Sequence, residues 1–160
     1  MRELRNSDYP NTFITEILVS LDDPDHWVTL VWTGGNSGAV ETGPFHSSPG
    51  AGLEGLDCGD PDTSVRNGSH CTPIGSRLVE GFASHLSDDP RATHVTFFDE
   101  ARAIGLHYFP EVPSYAASHG CVRLETDHAA QLIYDNSIEG VTSVTVGGTW
   151  TRPAHQWPRD

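Results

Sequence analysis

From Gly34 to Gly75 the chain is dominated by Gly, Pro, Ser and Asp, which predicts a long loop carrying only short extended pieces. Loops of that length in a compact domain are functional or pinned. Regular structure is left to the flanks, where Phe13–Leu21 and Trp27–Trp32 are rich in β-branched and aromatic residues. Asp22-Asp23-Pro24-Asp25 lies between them, so the pair reads as a hairpin or meander. Further short strands are predicted at Arg77–Phe82, His94–Phe98 and Ala103–Tyr108, with a final alternating one at Val141–Val146. Thr126–Asn136 carries apolar residues at Ala129, Leu132 and Ile133 with Thr126 or Asp127 as cap, and is the one clear helix. The pattern implies a mostly β fold, an antiparallel sandwich or barrel of short strands with one or two short helices, carrying its site on loops.

At 160 residues the chain is most simply one domain able to bury its own core. No internal repeat or domain boundary is visible, and the organisation reads as an N-terminal extension 1–12, a domain 13–147 and a tail 148–160. No apolar run reaches the ~18 residues of a membrane helix. The start, Met1-Arg2-Glu3-Leu4-Arg5-Asn6, lacks the apolar centre of a signal peptide. A cytoplasmic protein, a mature or shortened chain, and export by another route all fit that start.

The net charge is −13 and every basic residue is Arg, which argues against nucleic acid as a partner because phosphate binding needs a clustered basic face. Among the nine histidines, His85, His94, His107 and His119 show no ligand-like spacing, so no metal and no cofactor are expected.

Cys58 and Cys71 bracket Gly59–His70, a polar stretch with no apolar pattern of its own. A disulfide between them would close a loop that packing cannot hold, contributing about 3 kcal/mol in the chain-entropy account. The alternative is two unpaired thiols in a reducing compartment. With Cys121 set aside an even pair remains, which favours the bridge and an oxidising location.

The chemistry concentrates in Ser118-His119-Gly120-Cys121-Val122-Arg123-Leu124 and the upstream His107. Gly120 allows a tight turn that presents backbone N–H groups to a bound carbonyl. Cys121, on that turn and near a helix start, has electrostatic reason for a lowered thiol pKa. The bland reading of a lone Cys is a small buried hydrophobe; the company of His107 and His119 outweighs it. His107 in Ile104-Gly105-Leu106-His107-Tyr108 sits near a strand end, a rigid place from which to aim an imidazole. If the segment after Cys121 is extended, Arg123 and Cys121 face the same side, and the Arg123 fork suits a substrate carboxylate. The bland alternative for Arg123 is a surface ion pair of small value.

These residues resemble the signature of L,D-transpeptidase catalytic domains of the YkuD type. Thr72-Pro73-Ile74-Gly75 resembles an element those domains carry upstream, and the helix through Leu132 and Tyr134 followed by Gly140–Val146 resembles their end. Tyr108 departs from the family, whose members usually place Gly after the upstream His, and Cys58 and Cys71 are no family hallmark.

The resemblance implies a β-sandwich-like fold, action on peptidoglycan stem peptides, and an extracytoplasmic location in periplasm or cell wall. It implies that His107, oriented by the Tyr108 carbonyl, deprotonates Cys121, and that the N–H groups of Gly120 and Cys121 face the oxyanion. An amine acceptor then gives 3→3 cross-links or D-amino-acid exchange, and water gives L,D-carboxypeptidase cleavage. His119 shapes the turn or touches substrate, while Arg123 and Ser118 bind the donor. Three alternatives stand beside this: a cysteine peptidase or amidase of another fold using His128 or His155, a non-catalytic wall-binding module, and a toxin delivered into a rival's periplasm. The oligomeric state is left open.

Overall fold

The computed structural model describes residues 13–22, 26–33 and 40–153; the extension 1–12, part of the first predicted turn, the end of the tail and His155 lie outside them. Strands β1 (Ile14–Ser20) and β2 (His26–Trp32) pair antiparallel as the sequence predicts. A register shift between Ile14 and Glu16 lets Ile14 and Ile17 both face the core despite their odd spacing, alongside Val28, Leu30 and Trp32.

The predicted long loop is interrupted by a full strand, β3 (Val40–Ser48), paired with β2. Gly43-Pro44 hid it from the sequence, because Pro inside a run argues against a strand. The pairing steps from Val28↔Phe45 to Leu30↔Thr42, so the extra residue of a bulge falls where the Gly-Pro pair sits. Among the loop's described residues the only α-helix is one turn, α1 (Pro61–Ser64), capped by the Asp60 side chain.

Strands β4 (Gly75–Leu78) and β5 (Gly81–Leu86) replace the single strand predicted at Arg77–Phe82. The break at Val79-Glu80 exists because β4 pairs with β9 (Ser143–Gly147) while β5 pairs with β6 (Asp89–Asp99) at the opposite edge. Alternation along one chain cannot show such a change of partner. The remaining strands are β7 (Ile104–Tyr108) and β8 (Val122–Leu124). All nine form one curled sheet in the order β4-β9-β1-β2-β3-β8-β7-β6-β5.

The sheet is mixed, which corrects the all-antiparallel expectation: β1–β9 and β7–β8 are parallel. Parallel neighbours need a crossover longer than a hairpin turn, and residues 109–121 supply it for β7–β8. Helix α2 (Asp127–Asn136) begins as predicted, with Thr126 Oγ accepting from the Ala129 N–H at 3.2 Å. Asp127 then accepts from Thr93 Oγ1 and contacts His94 Nδ1, each at 2.8 Å, tying the first turn to β6. Ala129, Ala130 and Ile133 are buried as α2 packs on β6, β7 and β8.

Candidate active site

Parallel pairing of β7 and β8 sets Leu106 beside Val122, His107 beside Arg123 and Tyr108 beside Leu124. Leu106, Val122 and Leu124 are wholly buried in the core. Side chains alternate across a strand, so His107 and Arg123 share the other face, with Gly105 and Cys121 one step back on it. The anticipated shared face of Cys121 and Arg123 is therefore present.

Cys121 is the one free cysteine among the described residues and is 9% exposed. Its Sγ accepts from the Gly105 N–H at 3.5 Å and lies 3.4 Å from the Ala103 carbonyl oxygen. Burial pushes the thiol up to about 11, outweighing the Gly105 bond and the Arg123 charge that favour the thiolate. This reverses the predicted lowering. The turn leads into strand β8 rather than into the start of a helix.

His107 is 3% exposed, and its Nδ1 lies 2.8 Å from the Tyr108 carbonyl oxygen. A carbonyl only accepts, so Nδ1 carries the hydrogen and Nε2 keeps its lone pair. Burial holds the imidazole below its ordinary pKa despite that hydrogen bond, with the Arg123 charge adding to the effect. Thiol and imidazole are thus both neutral near pH 7.

The turn before Cys121 is fixed at three points. Ser118 Oγ accepts from the Gly120 N–H at 3.0 Å and donates to the Cys121 carbonyl. Ser118 is 3% exposed, so its hydroxyl is engaged within the turn itself. Thr72 Oγ1 donates to the Gly120 carbonyl at 2.7 Å and accepts from the Gly50 N–H at 2.8 Å. Gly120 has φ +131°, a conformation that favours glycine, and a Cβ there would crowd the Ile104 Cδ1 at 2.9 Å.

Cys58 and Cys71 form the disulfide that the sequence favoured, and both are buried in the core. Arg102 clamps the end of the loop that this bridge closes, donating to the Ser69 hydroxyl and the Cys71 carbonyl at 3.1 Å each while facing Asp99 at 3.4 Å. The long loop is pinned, and what it pins is the turn carrying Cys121.

A cleft of about 620 Å³ opens over this face, a usual size for a small-ligand site. His107, Ser118, His119, Cys121 and Arg123 all line it; the exposed His128 on α2 does not. His119 is exposed and stacks on His70, ring centroids 4.6 Å apart. Arg123 donates to the Glu111 carbonyl at 3.1 Å with its guanidinium carbon 4.3 Å from the Phe109 centroid. Arg91 reaches the same ring at 4.8 Å and is held bidentate by Asp89 at 3.0 Å. Among the described residues no group of three or more His, Cys, Asp or Glu could hold a metal ion, and no helix is long and apolar enough to cross a membrane.

Sequence reasoning passed over Arg102, Phe109, Arg91 and Gly105, and met Thr72 only as part of a recognised string. Thr72, Arg102 and Phe109 carry no local signal, because each acts through contacts with distant parts of the chain. Gly105 was the most accessible, being a glycine inside a strand pattern: a Cβ there would stand 2.4 Å from the Thr96 carbonyl oxygen.

The family model described as the YkuD L,D-transpeptidase catalytic domain matches residues 16–146. Among solved structures, an L,D-transpeptidase from Xylanimonas cellulosilytica is 21% identical, with a TM-score of 0.53 over 92% of this chain and 65% of that one. An L,D-transpeptidase (Yku) from Stackebrandtia nassauensis is 18% identical, with a TM-score of 0.54 over 86% of this chain and 57% of that one. The chain therefore spans less than two thirds of the length of either, and at these identities the likeness is one of fold. No curated protein matches the chain.

Proposed function

The chain belongs to the L,D-transpeptidase catalytic domain family of the YkuD type, and on that premise we propose that it transfers acyl groups of peptidoglycan stem peptides through a thioester on Cys121. The observation that carries the reading is the pairing of β7 and β8, which brings His107 and the Cys121 just before β8 to line one cleft, with the imidazole Nδ1 engaged by Tyr108. That leaves Nε2 as the base.

His107 Nε2 removes the Cys121 proton as Sγ attacks the carbonyl carbon at the L-centre of the diamino acid. A resting thiol at about 11 makes this transfer concerted with attack rather than a prior ionisation. The Gly120 N–H is already bonded to Ser118, so the Cys121 N–H is the backbone donor for the oxyanion. Collapse breaks the C–N bond, the protonated His107 gives its proton to the leaving amine, and the terminal D-residue departs. An incoming amine then takes the acyl group to form a 3→3 cross-link or an exchanged D-residue; water yields the shortened peptide.

Arg123 holds the donor carboxylate, its fork set by Glu111 and Phe109. Ser118 acts by fixing the turn rather than by touching substrate, and His119 stands at the cleft rim. The Cys58–Cys71 bridge supports an extracytoplasmic place of action, in periplasm or cell wall.

Muropeptide analysis by mass spectrometry, after incubating the protein with purified peptidoglycan, tests the proposal. The expected products are new 3→3 dimers, tripeptides or exchanged D-residues, all absent with Cys121→Ala. Unchanged muropeptides with correctly folded protein would overturn it.

A further inference from the structure

We propose that Thr72 is a positioning residue for the oxyanion donor, orienting the Cys121 N–H through the carbonyl of the same peptide group, and that the Cys58–Cys71 bridge holds Thr72 to that task. The inference rests on the reading of Cys121 as nucleophile and concerns residues outside the thiol–imidazole pair.

The Gly120 carbonyl and the Cys121 N–H belong to one peptide unit. Such a unit is planar and trans, so fixing the direction of its C=O fixes its N–H in the opposite sense. Thr72 Oγ1 donates to that carbonyl at 2.7 Å from a position 1% exposed, where water cannot substitute for it. The Gly50 N–H, 2.8 Å away, occupies the acceptor side of the same hydroxyl and sets its direction of donation. The Cys121 N–H therefore points away from Thr72, on the side where Cys121 lines the cleft. Gly120 at φ +131° lacks the restraint of a side chain, so its peptide needs an outside hold to keep one orientation.

The disulfide supplies the rigidity behind that hold. Thr72 directly follows Cys71, which is bonded to Cys58. The Cys71 carbonyl takes an Arg102 N–H at 3.1 Å and lies 3.3 Å from where a Gly120 Cβ would stand. On the other side, Gly52 N–H bonds the His70 carbonyl at 2.9 Å and Trp150 Nε1 donates to the Gly50 carbonyl at 3.0 Å. Reduction by an added dithiol breaks the S–S bond, leaves a thiol on each cysteine and converts the reagent to its own disulfide. The span between Cys58 and Cys71 then has only the one-turn α1 and scattered hydrogen bonds to keep it in place.

Two reactions of Cys121 separate this role from general support of the fold. Acylation by a carbapenem passes through an oxyanion, whereas alkylation by iodoacetamide does not. Both are read as mass increases, on intact protein or, for reduced protein, on the Cys121 peptide, so the test stands even if no stem peptide is turned over, an outcome that would count against the proposed function alone. Thr72→Val is expected to slow acylation about a hundredfold, the cost of one oxyanion donor, and to leave alkylation within about threefold. Thr72→Ser is expected to restore acylation. With stem peptide, the loss falls on kcat rather than KM. The Cys58→Ser/Cys71→Ser variant, and wild-type protein reduced and freed of reagent, are expected to share the same selective loss, at about tenfold. Equal changes in both reactions, or acylation unaltered in folded Thr72→Val, would overturn the positioning role. Full acylation by folded, reduced protein would overturn the part assigned to the bridge.

Discussion

Gly105 donates its backbone N–H to the Cys121 sulfur across 3.5 Å, which seats the thiol against the strand that carries His107 two residues further on. The contact depends on a glycine for reasons of space, since the β6 backbone at Thr96 lies 2.4 Å from where a Cβ would stand. Gly105→Ala must push β6 and β7 apart. It is expected to cost about 1–3 kcal/mol, the usual penalty for overpacking, read as a lower denaturant midpoint. Acylation of Cys121 should fall more than stability does, because the displacement lies directly under the sulfur. A variant as stable and reactive as wild type would show that the contact carries nothing.

Cys121 and His107 are displaced in opposite directions, the thiol up to about 11 and the imidazole below its ordinary value, and burial is the leading cause of both. A resting neutral pair follows. Iodoacetamide labelling of Cys121 should therefore be slow at neutral pH and climb until about pH 11, rather than levelling near the ordinary thiol value. Labelling that plateaus below about pH 8 would identify a resting thiolate and remove the concerted proton transfer.

For His107 the sign fixes a second titration. The native state holds the imidazole neutral, while the unfolded chain takes up a proton near pH 6.5. Its contribution to stability is full above that pH and is lost as pH falls towards and through the lowered native value. The acid limb of kcat/KM should likewise lie below 6.5, because the neutral base persists there. Thermal unfolding between pH 7 and pH 4 checks the first statement: His107→Gln should flatten the decline seen in wild type. The same variant should lose about a hundredfold or more in kcat/KM.

What the chain disclosed in advance was what local pattern can encode. β1 and β2 alternate, Thr126 caps α2, and His107 sits near a strand end because Ile104–Tyr108 reads as a strand. Cys121 and Arg123 were placed on one side by the same alternation. The bulge at Gly43-Pro44 concealed β3, since its pairing with β2 is a long-range fact that outweighs the local preference. The split of β4 from β5 and the parallel pairs depend on partners far along the chain. The raised thiol pKa was missed for a related reason: burial is set by the whole fold, and the sequence offered only the nearby charges and turn. Thr72 and Arg102 do their work through residues far from them in sequence, which no spacing rule reveals.

Arg123 gives the sharpest test of donor binding. Its guanidinium is aimed by the Glu111 carbonyl at 3.1 Å and stacks 4.3 Å from the Phe109 ring centre, inside the cleft that holds Cys121. A hydrogen bond to a charged group contributes about 1.5–3 kcal/mol, so Arg123→Gln should raise KM for a tetrapeptide donor by about ten- to a hundredfold. Arg123→Lys should recover only part of this, because an ammonium keeps the charge but loses the planar fork and its stacking. Arg91 makes the contrast: it is exposed and already paired with Asp89 at 3.0 Å, so Arg91→Gln should change KM by less than about threefold. Steady-state kinetics on the three variants checks the ordering. Equal effects of Arg91→Gln and Arg123→Gln would mean that the donor carboxylate answers to the overall positive field of the cleft rather than to the Arg123 fork.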